Sequence, residues 1–319
     1  MPIWVQEEVG MKSREPIIVT GASTGIGRAI TEMLAEDGHL VYATARKKAD
    51  LEQLAEIQRV DPIKLDVTNP AEVSRAAAIV MKRGKGLYGL VNNAGIGMSW
   101  PLPELDVEDL EHILGVNLYG VHRMTQAMLP FLLKSRGRIV NIGSISGLSC
   151  GTLLGPYCIS KHALGVYTEV LAKFLKTYKM GVSIIDVGAP FRSEVVKTEA
   201  EWVRRRASKH APIFMEKEIS ELLMSLDKEI ESAKREPTPE VVLHAVADAL
   251  FYKHPRLRYC PCITKDYLRW TLKGPITRAV QANLSSGKPA ITRDEMHALM
   301  DRIWDKEGGK PKRGWYGQG

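Results

Sequence analysis

The chain has 319 residues, of which 45% are hydrophobic, 25% charged and 7% aromatic, so it can bury a sizeable core. This composition excludes a disordered, collagen-like or coiled-coil protein. Residues 190–319 contribute +6 of the formal net charge of +7. Such a basic region either attracts phosphorylated ligands, acidic lipids or nucleic acid, or forms a solvated surface.

The sequence predicts a cytoplasmic protein without a metal site. No apolar run approaches the roughly 18 residues that a membrane-spanning helix needs. The first ten residues contain two acids and no basic segment typical of a signal peptide. Four cysteines are too few for a disulfide scaffold, and no His, Cys, Asp and Glu cluster has metal-binding spacing.

From residue 16 to residue 187, short apolar runs alternate with amphipathic stretches, which is typical of parallel strands joined by helices. Strands are predicted at residues 16–20, 40–45, 63–66, 89–93, 138–142 and 182–187. Several of these runs are apolar without alternation, as in strands that are buried on both faces. We therefore predict an α/β fold with a doubly wound parallel sheet in three layers.

The pattern changes after the sixth strand. A helical insertion is expected over about 190–236, followed by a helix that opens at Thr238-Pro239-Glu240 and runs to about His254. A seventh strand at 258–263 and helices near 266–284 and 292–305 complete the prediction. The expected division is a Rossmann-type domain over 14–263 and a C-terminal helical extension over 264–319, with a disordered tail.

A glycine-rich segment, Thr20-Gly21-Ala22-Ser23-Thr24-Gly25-Ile26-Gly27, joins the first strand to the following helix. Glycines at these positions let the backbone turn tightly and approach a pyrophosphate, which the helix N-terminus favours. The segment alone is weak evidence, because a plain turn uses the same residues. Its place between a buried strand and a helix indicates a dinucleotide site, with these predicted contacts: Gly21, Ser23, Thr24, Gly25, Ile26 and Gly27.

The end of the second strand indicates which dinucleotide is bound. Folds that prefer NAD usually present an acid there, whereas this chain has Arg46 and Lys47. A guanidinium can bind a 2′-phosphate bidentately, so we infer NADP(H) rather than NAD(H). The alternative is a pair of solvated basic residues.

Tyr157 and Lys161 lie four residues apart on a predicted helix, and therefore on one face of it. A free tyrosine has a pKa of about 10, which a neighbouring cation lowers, so that Tyr157 can exchange a proton. The pair alone is a common surface pattern. Ser144, just after the fifth strand, could hydrogen-bond the same substrate oxygen, and Asn117 lies in a predicted helix further upstream.

Together these segments resemble the short-chain dehydrogenase/reductase family. The matching residues are the loop at 20–27, Asp66-Val67-Thr68, Asn92-Asn93-Ala94-Gly95, and the set Asn117, Ser144, Tyr157 and Lys161 at the family's spacing. Plain strand-end turns would account for Asp66 and the 92–95 segment taken alone. The length, the segment Tyr42-Ala43-Thr44-Ala45-Arg46 and the segment His254–Tyr259 resemble the branch of retinol and hydroxysteroid dehydrogenases.

The resemblance implies a role for each matching residue. Asp66 would hydrogen-bond the adenine ring beside Val67, and Asn93, Ala94 and Gly95 would line the cofactor near its ribose. Lys161 would hold the nicotinamide ribose, and Asn117 would bind a water that relays protons to Lys161.

One segment departs from the family pattern. After the sixth strand the family has Pro-Gly and then a Thr that contacts the carboxamide. Here the chain reads Val187-Gly188-Ala189-Pro190-Phe191-Arg192-Ser193, so Gly188 keeps its place and Ser193 is expected to replace the Thr.

We therefore predict an NADP(H)-dependent oxidoreductase in which Tyr157 is the general acid and base. The branch implies a bulky apolar carbonyl or alcohol substrate. Apolar residues that either roof a pocket or pack the insertion are Met98, Trp100, Leu102, Phe191, Trp202, Ile213, Phe214 and Met215. The alternatives are an NAD-dependent alcohol dehydrogenase and a nucleotide sensor without turnover.

Further partners are expected only in part. The resemblance implies a homo-oligomer formed through the helices that carry Asn117 and Tyr157. No nucleic-acid motif is present, so no nucleic acid is expected. Membrane contact through Tyr267, Leu268 and Trp270 is less expected than packing of these side chains.

Overall fold

The computed structural model describes residues 16–188, 194–210, 215–233, 240–261, 265–284 and 291–307. The chain forms two compact units, Met1–Lys265 and Asp266–Gly319. Ser193, Phe191, Ile213, Phe214, Thr238, Pro239 and the predicted disordered tail lie outside the described residues.

The first unit is built on a parallel sheet of seven strands in the order β3-β2-β1-β4-β5-β6-β7. The strands are β1 (Ile17–Val19), β2 (Val41–Ala45), β3 (Val60–Lys64), β4 (Gly89–Asn92), β5 (Arg138–Ser144), β6 (Gly181–Val187) and β7 (Arg258–Tyr259). The predicted doubly wound α/β fold is confirmed. The strand order reverses between β1 and β4, where folds of this kind bind ligands beyond the carboxyl ends of the strands.

Nine helices are described in this unit: α1 (Gly25–Glu36), α2 (Lys48–Ala55), α3 (Pro70–Arg83), α4 (Val107–Leu114), α5 (Val121–Ser135), α6 (Gly155–Leu175), α7 (Glu194–Lys209), α8 (Glu216–Ala233) and α9 (Glu240–Phe251). Two more follow, α10 (Lys265–Leu284) and α11 (Arg293–Glu307). A π-helical segment, Gly115–Gly120, joins α4 to α5. No helix among the described residues is both long and apolar enough to cross a membrane.

Neighbouring residues of β1 show why the fold has three layers. Ile17 and Ile18 are both fully buried, but they belong to different core clusters. Ile17 shares its cluster with Ile30 of α1 and Leu250 of α9, whereas Ile18 packs with residues of α3 and α5. Because successive side chains of a strand point to opposite faces, an unbroken apolar run buries both faces.

The observed elements differ from the predicted ones mainly at their ends. The third strand covers Val60–Lys64 instead of 63–66, because Pro62 is tolerated at the sheet edge where β3 lies. β5 runs on to Ser144, and the seventh strand has only two residues. α9 ends at Phe251 rather than about His254.

Candidate active site

A cavity of about 690 Å³ lies at the carboxyl ends of the strands. One end is lined by Arg46 and Lys47, the middle by the glycine-rich loop, and the other end by catalytic candidates together with residues of α7 and α8. The predicted residues that line it are Gly21, Ser23, Thr24, Gly25, Ile26, Arg46, Lys47, Asp66, Val67, Asn93, Ala94, Gly95, Ser144, Tyr157, Lys161 and Gly188. The structure thus brings together segments from across the first unit.

The glycine-rich loop is packed closely against the segment after β4. The hydroxyl of Thr20 accepts hydrogen bonds from the backbone amides of Asn93 (2.9 Å) and Ala94 (3.0 Å). Gly21 has a φ of +64°, and a Cβ added to Gly27 would lie 2.2 Å from the carbonyl oxygen of Gly21. Gly27, a predicted cofactor contact, does not line the cavity. Because it has no Cβ, it permits the tight turn that shapes the cavity wall.

The N-terminus of α1 faces this loop and fits an anionic group. Thr24 at the N-cap makes no side-chain cap hydrogen bond, and the first turn contains no acidic residue. The helix dipole and the backbone amides of the first turn therefore favour a phosphate. The closely packed glycine-rich loop and the N-terminus of α1 together fit the pyrophosphate of a dinucleotide.

At the far end of the cavity Arg46 and Lys47 are exposed, and Asp66 lines the cavity together with them. Asp66 accepts hydrogen bonds from the Thr68 backbone amide (2.8 Å) and hydroxyl (2.7 Å). Burial raises the pKa of Asp66, but these hydrogen bonds and the charge of Arg46 outweigh it and lower the pKa overall. Asp66 is therefore ionised at neutral pH and held in a fixed orientation.

Ser144 and Tyr157 meet at the other end of the cavity. Ser144 ends β5, and its hydroxyl is hydrogen-bonded to the hydroxyl of Tyr157 from the first turn of α6. Burial raises the pKa of Tyr157 far above its ordinary value, the Ser144 hydrogen bond lowers it, and the charge of Glu199 raises it. We predicted that Lys161 lowers the pKa of Tyr157, which is wrong, because burial of the phenol has the largest effect on this pKa and raises it.

Lys161 lies one turn after Tyr157 on α6 and is only 6% exposed. Its Nζ lies 5.7 Å from the centre of the Tyr157 ring and donates a hydrogen bond of 2.9 Å to the carbonyl oxygen of Ile142. Burial lowers the pKa of Lys161 to about 8, while Asp186 acts to raise it. The ammonium group is thus buried beside the tyrosine at neutral pH.

Asn117 is almost fully buried but does not line the cavity, and it lies in the π-helical segment rather than in a regular helix. Its amide oxygen accepts from the backbone amide of Ile96 (2.9 Å), and its amide nitrogen donates to the Ile96 carbonyl (3.0 Å) and the Ser160 hydroxyl (3.0 Å). These contacts hold the chain after β4 against α6.

The predicted apolar roof is largely a packing cluster. Met98, Trp100 and Trp202 belong to a buried cluster, in which the two tryptophan rings make a T-shaped contact with centres 6.0 Å apart. None of the three lines the cavity. Leu102 is 44% exposed. Met215 lines a separate cleft with Leu153.

Four titratable residues near the site were not predicted: Asp50, His112, Asp186 and Glu199. The sequence does contain a signal for Glu199. It follows Val196 by three residues and precedes Val203 by four, so it lies on the same face of the helix as these two apolar residues. An acid on the apolar face of an amphipathic helix is unusual. No group of three or more His, Cys, Asp or Glu among the described residues is placed to hold a metal ion.

Comparisons with known proteins agree with this geometry. A family model for short chain dehydrogenase matches residues 15–204. Retinol dehydrogenase 5 of Mus musculus is 33% identical over 256 residues, covering 77% of this chain and 80% of its own. The 17-beta-hydroxysteroid dehydrogenase type 6 of Homo sapiens is 31% identical over 253 residues, covering 76% and 79%.

A short-chain dehydrogenase from Streptomyces avermitilis, known from a crystal structure, has the same fold. It is 25% identical, with a TM-score of 0.70 that covers 86% of this chain and 97% of that one. The chain therefore belongs to the short-chain dehydrogenase/reductase family, in the branch of the retinol and hydroxysteroid dehydrogenases.

Proposed function

We propose that this oxidoreductase uses NADP(H) to move a hydride between nicotinamide and the carbonyl or alcohol carbon of a bulky apolar substrate. The observation that carries the proposal is one continuous cavity. Its one end holds Ser144, Tyr157 and Lys161, and its middle is a loop shaped for a pyrophosphate.

The residues that would hold the cofactor follow the cavity wall. The amides at the N-terminus of α1 would bind the pyrophosphate, Asp66 and Val67 the adenine, and Asn93 to Gly95 the ribose. Gly188 lines the cavity after β6 and would contact the nicotinamide end. Ser193, which lies outside the described residues, remains the proposed replacement for the family's Thr. When bound, the cofactor supplies or accepts the hydride.

Tyr157 is the proposed general acid in reduction. Its raised pKa keeps the phenol protonated at neutral pH, so a proton is available for the oxygen of a substrate carbonyl as negative charge develops there. Ser144, already hydrogen-bonded to Tyr157, would orient the same oxygen. In alcohol oxidation the proton moves in the opposite direction.

Lys161 and Asn117 would support this proton transfer. The positive charge of Lys161 stabilises negative charge on the phenolate left after proton donation, and its Nζ would bind the nicotinamide ribose. The side chain of Asn117 is engaged with Ile96 and Ser160. A water in the proton relay would therefore bind its backbone carbonyl, which a π-helical segment can leave outside the regular helical ladder.

The proposed preference for NADP(H) rests on Arg46 and Lys47, which line the end of the cavity where the ribose of the adenosine would bind. Fluorescence titration with NADPH and with NADH measures it directly. A charge-assisted hydrogen bond contributes roughly 1.5–3 kcal/mol, so Arg46→Ala should weaken NADPH binding by about 10- to 100-fold. NADH binding should change little.

The matched control is Lys48→Ala, since Lys48 is exposed next to the pair but does not line the cavity. It should leave both dissociation constants unchanged. Equal or tighter binding of NADH by the unmodified protein would overturn the preference and favour an NAD-dependent alcohol dehydrogenase.

Tyr157→Phe tests catalysis. Proton transfer by a positioned side chain contributes roughly 10²- to 10⁴-fold, so kcat should fall by at least that order while NADPH affinity stays nearly constant. Near-normal turnover by the variant would exclude Tyr157 as the acid. Tight NADPH binding without turnover of any carbonyl by the unmodified protein would instead favour a nucleotide sensor.

The apolar substrate is supported by the residues around the catalytic end and by the relatives. Leu154, Val195, Val196, Leu222 and Leu226 line the cavity there. The relatives include retinol and hydroxysteroid dehydrogenases.

We also propose self-association through α6. Val166, Val170 and Phe174 lie along this helix and are each about 60% exposed, at 63%, 60% and 62%. A run of exposed apolar side chains at four-residue spacing is typical of an interface.

A further inference from the structure

A second cleft, of about 430 Å³, adjoins the catalytic end of the cavity and has no role in the proposed hydride transfer. Leu154, Leu222 and Ser225 line both spaces, so the two spaces meet at these side chains. Leu154 is the N-cap of α6, whereas Leu222 and Ser225 lie one turn apart on α8. The junction is therefore formed by the start of α6 on one side and by α8 on the other.

Packing places this junction close to the proposed proton donor. Tyr157, Leu153 and Leu222 all pack against the same buried apolar cluster, which contains Trp100. Leu154 precedes Tyr157 by three residues, and its carbonyl oxygen accepts a backbone hydrogen bond of 2.8 Å in the first turn of α6. The junction thus lies about one helical turn from Tyr157 along this helix.

The main cavity would have to hold two molecules at once. Pockets of roughly 300–1,000 Å³ typically hold a single drug-sized ligand. The cavity of about 690 Å³ would hold the dinucleotide as well as the substrate. A bulky apolar substrate would therefore extend past Leu154 and Leu222 into the second cleft.

The wall of the second cleft suits a hydrocarbon. Its described apolar side chains are Leu153, Leu154, Met215 and Leu222. Glu218 and Glu221 also line it, but both are exposed, so their charges stay in water without an ionic ligand. The cleft therefore offers apolar contact to an uncharged chain.

Met215 lines this cleft in an unusual backbone conformation. Its φ is +63°, in the left-handed region, and its carbonyl oxygen accepts a hydrogen bond of 2.9 Å from the amide of Ile219 at the start of α8. A non-glycine residue in this region costs free energy, and such residues cluster at ligand sites, where the surrounding structure fixes them. The flexible thioether of methionine adapts to apolar ligands of varied shape.

We infer that the second cleft binds the end of the substrate remote from the carbonyl, so that the preferred substrates carry a long, uncharged hydrocarbon chain. This inference rests on the proposed function and specifies its substrate. The carbonyl would meet Ser144 and Tyr157. The chain would pass between Leu154 and Ser225, and its end would lie against Met215.

Ser225→Trp tests this inference, because Ser225 is exposed at the junction and a larger side chain there narrows the passage without removing a core contact. The measured quantity is kcat/KM with NADPH for methyl ketones from 2-pentanone to 2-dodecanone. Each buried methylene group should raise it about three- to fourfold in the unmodified protein. In Ser225→Trp we expect kcat/KM for 2-dodecanone to fall at least about tenfold, equivalent to two methylene groups, while the value for 2-pentanone stays nearly constant.

Met224→Trp is the control, because Met224 is the exposed neighbour of Ser225 on α8 and lines neither space. It should keep the full dependence on chain length. An unchanged dependence on chain length in Ser225→Trp would overturn the inference.

Met215→Gly is a second variant that preserves the fold, since glycine suits the φ at this position. Loss of the apolar side chain should lower kcat/KM for 2-dodecanone about three- to tenfold and leave that for 2-pentanone nearly constant. An equal loss for both ketones would contradict a contact with the remote end of the chain.

A binding measurement separates this inference from the proposed function. Calorimetry in the presence of NADP⁺ compares 2-dodecanol with 2-pentanol. We expect tighter binding of the longer alcohol, and a loss of most of that advantage in Ser225→Trp. If no ketone is reduced but this difference persists, the proposed function fails and the second cleft stands as a binding site; if ketones are reduced and the difference is absent, the second cleft alone is refuted.

Discussion

The buried charge of Lys161 should lower the free energy of unfolding of the protein, and the variant Lys161→Met tests this. Burial lowers the pKa of Lys161 from its ordinary 10.5 to about 8, and each unit corresponds to about 1.4 kcal/mol. Holding the ammonium in the folded state at neutral pH therefore costs about 3 kcal/mol. Methionine has a similar length and no charge.

The expected gain in the free energy of unfolding of Lys161→Met is smaller than the cost of burying the charge. Lys161→Met also removes the hydrogen bond to the carbonyl of Ile142, which contributes about 1 kcal/mol. We therefore expect the free energy of unfolding to rise by about 2 kcal/mol at pH 7, and Tm by roughly 2–4 °C per kcal/mol. Activity should be lost at the same time.

The gain should also depend on pH with a definite sign. Between pH 8 and 10.5 the unfolded chain keeps the lysine proton that the folded chain has released. The unfolded state then binds more protons, so the stability of the unmodified protein rises with pH and the advantage of the variant shrinks. Urea denaturation of the unmodified protein and of Lys161→Met, at pH 7 and at pH 9.5, measures the stability difference and its change with pH.

Lys173→Met is the matched control, because Lys173 is exposed on the same helix. It should change stability by less than about 0.5 kcal/mol at either pH. A Lys161→Met variant that is less stable than the unmodified protein, or whose advantage does not change with pH, would refute the reasoning.

Three further changes test the fold around the site. Asp186→Ala should lower the free energy of unfolding by about 3–5 kcal/mol in urea, because Asp186 is fully buried and pairs with Arg258; a loss below about 1 kcal/mol would contradict this. Gly27→Ala should weaken NADPH binding at least about tenfold in a fluorescence titration, since its Cβ would lie 2.2 Å from a loop carbonyl oxygen. Gly151→Ala, whose Cβ would meet ordinary contacts at 3.5 Å, is its control and should bind normally. Phe174→Glu should reduce the molar mass in light scattering to that of one chain, and an unmodified protein that is already monomeric would exclude self-association through α6.

Local signals predicted most of the fold and most of the residues that line the cavity. The glycine-rich loop, the basic pair at 46–47 and the Tyr157 to Lys161 spacing are set by residues close together in the chain. Buried strands read as unbroken apolar runs, and the sheet followed from their alternation with helices. Element ends were less accurate, as at β3, where Pro62 is allowed only because the strand lies at the sheet edge.

Effects that depend on distant segments were not predictable in this way. The spacing of Tyr157 and Lys161 correctly predicts that they are neighbours, but not how deeply they are buried. Burial raises the pKa of the tyrosine and lowers that of the lysine. Likewise, the sequence does not show that Trp100 and Trp202 pack against each other.

The sequence by itself determined the class of fold, the family and most of the residue types that line the cavity, because each depends on short-range patterning. Only the tertiary structure decided which polar groups are removed from water. Asp186 and Glu199 are buried beside the site through contacts with β7 and with the segment after β4, far from them in the chain. Desolvation and charge at the reaction centre depend on that packing, which no local pattern encodes.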